Sequence, residues 1–347
     1  MPGVRSLTAV STPLRLEYVG HADNVRLATW MPRFDLDGTF MREGRRWTLD
    51  LDLPADARIE YRIEVERDGR WDSLLDPLNP RTATNPFGHN SVLVGPEYSQ
   101  AAWVDRSAAN PGTVAELRVA SERLGGRRSV RLYRPHGVPD EQALPLVFVF
   151  DGSDYLNHAQ INRCFDILIE DGTVPPFRAA LSDPRRRHLE YTASDDHAAC
   201  MLEEVLPYVE RRVAVSTLAS VGASLGAVAA WKMMTTRPDA FAGAVLMSGT
   251  FARTPHPELD QRMLSDIQSF VDGALEHPVP PDLSIHQSCG RYESLIDWNR
   301  DVAGVLSRDR HRFRFTETWT GHDWGAWRDQ LAPGLSLVLA GSDTDAR

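Results

Sequence analysis

Residues Pro145 to Phe150, Pro-Leu-Val-Phe-Val-Phe, form an unbroken apolar run. A strand with one wet face alternates polar and apolar side chains, so a strand apolar on both faces needs cover on both. The chain that follows supplies the cover. Segments of helical period at 161–169, about 197–213, 227–234, 264–274, 295–306 and from Ala326 alternate with short apolar segments at 177–181, 213–219, 242–247, 283–289 and 312–319. This alternation predicts a mostly parallel sheet flanked by helices, an α/β fold. Ahead of the run, 114–120 and 129–133 read as two edge strands joined by a hairpin around Gly125-Gly126.

The first hundred residues keep a different rhythm. Leu14, Leu16 and Tyr18 alternate with polar neighbours, as do Val25 and Leu27, then Trp47, Leu49, Leu51 and Leu53, then Tyr61, Ile63 and Val65. Period-two patterning broken by turn signals at Asp37-Gly38, Pro54 to Asp56 and Asp68-Gly69 predicts a small antiparallel β-sandwich. Gly44-x-x-Trp47, the strand Ile59-Glu60-Tyr61-Arg62-Ile63 and Asp76-Pro77-x-Asn79-Pro80 resemble the immunoglobulin-like early-set domains that precede many hydrolase domains. That resemblance implies a fold and leaves the task open: binding sugars, with Trp71 as an aromatic platform, shaping a neighbouring site, or supporting it, Trp71 then being a core or interdomain residue. Gly, Pro, Ser and Asn dominate the stretch up to Pro111, which gives a front domain at 1–100, a linker at 101–112 and a second domain at 113–347.

A chain of 347 residues suits two domains. With a net charge of −10 and no basic block longer than Arg185-Arg186-Arg187, nucleic acid and anionic membrane are poor partners. Cys164, Cys200 and Cys289 lie far apart, without metal-ligand spacing, and read as buried small hydrophobes in a reducing compartment. The N-terminus shows no continuous apolar signal region and no run reaches the length of a membrane span, so a soluble cytoplasmic protein is expected.

Gly222-Ala223-Ser224-Leu225-Gly226 lies between an apolar strand and an Ala-rich amphipathic segment. Gly-x-Ser-x-Gly at a strand-to-helix turn is a nucleophile elbow: small flanking residues let the turn close, and the serine hydroxyl is lifted clear of the sheet. Such a serine needs a base to take its proton and a carboxylate to orient the base. His322, in Gly321-His322-Asp323-Trp324 after the last strand, is the expected base; Asp323 reads as the N-cap of the final helix. Glu293, at the turn after the preceding strand, is the expected acid, with Asp297 in reserve. The amides of Leu225 and of Ser153, the latter in the loop Asp151-Gly152-Ser153 after the apolar run, form the expected oxyanion hole.

The second domain resembles the esterase-D or enterochelin-esterase branch of the α/β-hydrolases. Its motifs are Phe148-Val149-Phe150-Asp151-Gly152, Arg187-x-x-Glu190-Tyr191, Glu203-Glu204-Val205-Leu206-Pro207, Gly222-x-Ser224-x-Gly226, Ser248-Gly249, Gly290-x-x-Glu293 and Gly321-His322-Asp323-Trp324-x-x-Trp327. The resemblance implies an α/β-hydrolase fold and a Ser224–His322–Glu293 triad working through an acyl-enzyme on a small-molecule ester, with no metal or organic cofactor. A ferric-siderophore ester is the leading substrate. A feruloyl, acetyl or mycolyl ester with a sugar-binding front domain is the alternative, and a catalytically silent binding protein is the second. Ala227 and Thr320 stand where siderophore esterases often carry glycine. Gly152, Tyr155, Arg187, Tyr292 and Trp324 are candidate substrate contacts; the aromatics read equally as packing, and Arg187 as an ion pair with Glu190.

Overall fold

The computed structural model describes residues 11–34, 37–255, 260–308 and 312–340. The chain divides into two compact units: the first comprises Met1–Gln100 with Gly290–Ser294 and Thr318–Ala326, and the second comprises the remainder. Two short segments far along the chain therefore belong with the front of it.

The first unit is built on two antiparallel sheets. One contains β1 (Ser11–Val19), β4 (Arg46–Pro54) and β3 (Met41–Glu43), in that order. The other runs β2 (Asn24–Ala28), β5 (Arg58–Arg67), β8 (Gly88–Val94), β7 (Thr82–Asn85), with β6 (Arg70–Leu74) also paired to β5. The alternating residues do what their period requires: Leu16, Tyr18, Val25, Leu27, Trp47, Leu49, Leu51, Tyr61, Ile63 and Val65 share one core between the sheets. Trp71 is not part of the sandwich core. It is 39% exposed on β6, and the Arg26 guanidinium lies 4.3 Å from its ring centroid, which covers one face.

In the second unit one eight-stranded sheet runs in the order β16 (Phe313–Thr318), β15 (Ser284–Gly290), β14 (Phe241–Met247), β13 (Val215–Ala223), β11 (Leu144–Phe150), β12 (Arg178–Ser182), β10 (Arg127–Arg134), β9 (Thr113–Ala120). Parallel pairing links β12, β11, β13, β14 and β15, and the β9–β10 hairpin adds an antiparallel edge. Helices α1 (Gly152–His158), α2 (Ile161–Glu170), α3 (Arg187–Glu190), α4 (Asp195–Ala199), α5 (Leu206–Glu210), α6 (Leu225–Thr236), α7 (Gln261–Glu276), α8 (Ile296–Leu306) and α9 (Trp324–Leu339) fall between and after the strands. This is an α/β-hydrolase fold. No helix among the described residues is long and apolar enough to cross a membrane.

Two elements differ from expectation. The segment after β11 is helical from Gly152, where the sequence reads as a loop. The long helix expected over 197–213 is instead α4, a π-helical stretch Cys200–Val205 and α5. Pro207 has no N–H for the Glu203 carbonyl and its ring crowds that carbonyl, so the helix widens there; Leu206 N–H reaches back to Met201 O.

Candidate active site

The elbow closes because Gly222 has no side chain, and Gly226 leaves little room for one. A Cβ on Gly222 would lie 2.0 Å from the Gly226 carbonyl oxygen, and one on Gly226 would meet Asp151 Oδ2 at 3.2 Å and Phe150 Cβ at 3.5 Å. Ser224 itself takes φ 57°, ψ −125°, a conformation costly for any residue with a Cβ. Its N–H donates to Met247 O at 2.9 Å, and its carbonyl accepts Thr250 N–H at 3.3 Å. Helix α6 starts at Leu225, so Ser224 stands at its N-terminus, where the first-turn amides carry partial positive charge.

Strain is concentrated at this edge of the sheet. Among the described residues six non-glycine residues have left-handed φ, and three of them, Asp151, Ser224 and Ser248, each directly follow β11, β13 and β14, which are adjacent strands. Backbone in such regions persists only where the surroundings hold it. Ser248 is held through Trp327 Nε1–H, which donates to its Oγ at 2.9 Å. The next peptide is held by the buried Asn299 amide: Gly249 N–H donates to Oδ1 at 3.2 Å, and Nδ2 donates to Gly249 O at 2.8 Å. Gln287 Nε2 in turn donates to Asn299 Oδ1 at 3.1 Å and Asn299 O at 2.8 Å. The loop so fixed places the Thr250 hydroxyl, 4% exposed, 3.4 Å from Ser224 Oγ.

Glu293 and His322 meet within the first unit. Glu293 is 1% exposed; its Oε2 lies 2.6 Å from His322 Nδ1, and its Oε1 accepts Gly290 N–H at 2.7 Å. With both oxygens committed the carboxylate has one orientation. Nδ1 facing a carboxylate carries the proton, which leaves the Nε2 lone pair to accept another. The loops interlock, because Arg291 N–H donates to Thr318 O at 2.8 Å and Tyr292 N–H to Thr320 O at 3.2 Å. A Cβ on Gly290 would sit 2.3 Å from Thr320 O, so only glycine permits the approach. Asp297 is exposed and lies 3.4 Å from Arg300, so it is Glu293 that faces the histidine. Asp323 Oδ1 accepts Ala326 N–H at 2.9 Å, as an N-cap should.

The Ser153 amide and the Arg187–Glu190 pair are corrected, and the other expected contacts have defined surroundings. Ser153 N–H is already committed to Asp183 Oδ1 at 2.7 Å, and Arg131 donates to Ser153 Oγ at 2.7 Å, so that amide is unavailable to an oxyanion. Asp151 N–H donates to Tyr191 OH at 3.1 Å, and Gly152, packed against Leu181, begins α1. Tyr155 is fully buried, one turn into that helix, and burial raises its pKa well above the usual phenol value. Tyr292 packs edge-on against Phe34 at 5.0 Å, in a core with Met31, Leu53, Ala57 and Ile59, and burial pushes its pKa up to about 12. Trp324, 8% exposed, opens α9. Arg187 does not pair with Glu190. It binds Asp151 at 2.9 and 2.8 Å, while Glu190 is taken by the buried Arg128.

Asn299, Asp183 and Arg131 carry no signal in the sequence, being separated from the elbow by tens of residues of ordinary composition. Thr250 was within reach, since it directly follows Ser248-Gly249. Among the described residues no group of three or more His, Cys, Asp or Glu is placed to hold a metal ion.

An elbow serine on a parallel sheet, with a histidine–carboxylate pair after the last two strands, defines the α/β-hydrolase class. Residues 121–337 match the Esterase family, described as "Putative esterase", and the chain belongs to that family of carboxylic-ester hydrolases. No curated protein matches the sequence. Among solved structures, the chain is similar to the ferric enterobactin esterase of Salmonella typhimurium, with 20% identity over 94% of this chain and 93% of that one, TM-score 0.79. The enterobactin esterase of Shigella flexneri in the presence of enterobactin is 21% identical over 93% and 92%, TM-score 0.77. A ferulic acid esterase is 19% identical over 67% of this chain and 99% of its own, TM-score 0.58.

Proposed function

We propose that the protein is a serine esterase in which Ser224 attacks an ester carbonyl, His322 takes the serine proton and returns it to the leaving alcohol, and Glu293 holds the imidazole. The observation that carries this reading is the buried Glu293 carboxylate, fixed by Gly290 N–H and set 2.6 Å from His322 Nδ1. The strained elbow at Ser224 supports it. The tetrahedral oxyanion is held by the Leu225 amide at the N-terminus of α6 and by the Gly152 amide, since those of Asp151 and Ser153 are committed elsewhere. Water then cleaves the acyl-enzyme, with His322 as base.

The substrate we assign is a ferric-siderophore ester of the enterobactin kind. The enterobactin esterases share nearly the whole chain, early strands included, whereas the ferulic acid esterase covers only 67% of it. Cys164, Cys200 and Cys289 are all buried and form no disulfide, which fits a reducing compartment, and we place the reaction in the cytoplasm. The test is a product-detected panel of catecholate trilactones, feruloyl sugars and acetyl sugars, together with fluorophosphonate labelling. Turnover of trilactones above the sugar esters, with label on Ser224, is expected. Preference for feruloyl sugars overturns the substrate, and a chain that neither labels nor hydrolyses any ester overturns the reaction.

A further inference from the structure

The first unit contains more of the proposed machinery than its sandwich core requires, and one residue connects the two. Arg58, the first residue of β5, is 4% exposed. Its backbone N–H donates to Trp319 O at 2.9 Å, and its guanidinium NH1 donates to Asp323 Oδ1 at 2.5 Å. His322 lies between those two partners in the chain, so a single residue of a sandwich strand ties the histidine loop on both sides of the histidine. The guanidinium is itself held. NH2 donates to Glu60 Oε1 at 2.9 Å, and Glu60 Oε2 accepts Asn90 Nδ2–H at 2.9 Å. A Cβ on Gly325 would lie 2.2 Å from Arg58 Cζ, so the planar fork rests directly on the first turn of α9, which follows the loop.

A buried guanidinium with two carboxylates has one low-energy arrangement, because any other leaves a desolvated charge unpaired. The loop from Trp319 to Asp323 inherits that definition. The acid side of the pair is fixed by the same unit: Arg33 N–H donates to Tyr292 O at 3.2 Å, and Tyr292 lies in the sandwich-side core beside Glu293. Nothing comparable is needed to hold a sandwich together. Most of its own core residues lie in a separate cluster, while Leu53 and Ile59 pack with Tyr292.

We propose that Arg58 is a positioning residue for His322, which makes the early strands a working part of the esterase rather than an appended binding module. The proposal rests on the esterase reading above. Arg58 touches no substrate; it acts through the Asp323 carboxylate and the Trp319 carbonyl, and so sets where the imidazole sits relative to Glu293.

The experiment compares wild type with Arg58→Met, Arg58→Lys and Asp323→Asn in the full chain, on a small aryl ester. Secondary and tertiary structure are checked by circular dichroism. In Arg58→Met, kcat falls about 10- to 100-fold with KM within about twofold, as expected for a misplaced base. The alkaline plateau of the kcat profile moves, and the low-field proton signal of the His322 Nδ1–H bond to Glu293 broadens or is lost. Arg58→Lys recovers part of kcat, because an ammonium can satisfy one carboxylate but cannot fork. Should Arg58→Met fail to fold, Arg58→Lys and Asp323→Asn decide the matter, since Asp323→Asn keeps the oxygen that caps Ala326. Folded variants with wild-type kcat, pH profile and low-field signal overturn the proposal. Wild-type protein without esterase activity and without Ser224 labelling overturns the esterase reading instead, and is seen before any variant is made.

Discussion

Ser224 offers a direct measurement of what the elbow costs. At φ 57°, ψ −125° a residue with a Cβ carries about 1–3 kcal/mol of backbone strain that glycine does not. Replacing alanine by glycine at an unstrained site loses about 0.5–1 kcal/mol, through the greater freedom of the unfolded chain. Ser224→Ala and Ser224→Gly both delete the hydroxyl and differ only in the Cβ, so their comparison isolates these two opposing effects. The expected balance favours Ser224→Gly by about 0.5–2 kcal/mol, and at about 2–4 °C per kcal/mol its Tm should be a few degrees higher. Thermal and urea unfolding, followed by near-ultraviolet circular dichroism, measure it. Both variants should lose ester turnover by several orders of magnitude, so the stability difference arises without a difference in function. If Ser224→Ala proves as stable as Ser224→Gly, or more so, the elbow is not strained and the reasoning fails.

Three further outcomes are expected. Glu293→Gln should lower kcat by roughly 10³- to 10⁴-fold while Asp297→Asn, altering an exposed carboxylate, stays within about twofold; steady-state kinetics on an aryl ester check both. Thr250→Val keeps the shape and removes the hydroxyl 3.4 Å from Ser224 Oγ, so the labelling rate of Ser224 should fall by about 5- to 10-fold, with Thr250→Ser restoring it. His197 is buried between Phe150 and Tyr191, and burial lowers its pKa to about 4. The unfolded value is near 6.5, so its contribution is complete above that pH and is lost as pH falls towards 4, by about 3 kcal/mol. Urea unfolding at pH 7.5 and pH 4 should therefore show His197→Phe gaining on wild type by about that amount, and an unchanged difference would sink the assignment.

The sequence marks the strands and the proposed reacting groups because both are local. Pro145–Phe150 is a buried strand by its composition alone, Trp47 to Leu53 alternates as a strand with one wet face must, and Gly222 to Gly226 carries its own turn chemistry. His322 and Glu293 could be placed by their position after strands, and the structure sets them 2.6 Å apart. The commitment of Ser153 N–H to Asp183 was not legible, since a backbone amide leaves no trace in the sequence and its acceptor lies thirty residues on. Nor could the Arg187 motif reveal its partner. Glu190 is nearer in sequence, yet the strand end at Asp151 brings a carboxylate into bidentate geometry, and Arg128 takes the glutamate.

What the amino-acid order determined by itself is therefore the periodicity of each segment, the elbow and the identity of the groups around it. Tertiary structure alone decided which side chains those groups lean on. Hydrogen bonds from Asn299 to Gly249 and from Arg58 to Asp323 join residues 50 and 265 positions apart, where neither propensity nor spacing operates. They exist because desolvated polar groups must find partners wherever the fold brings them together.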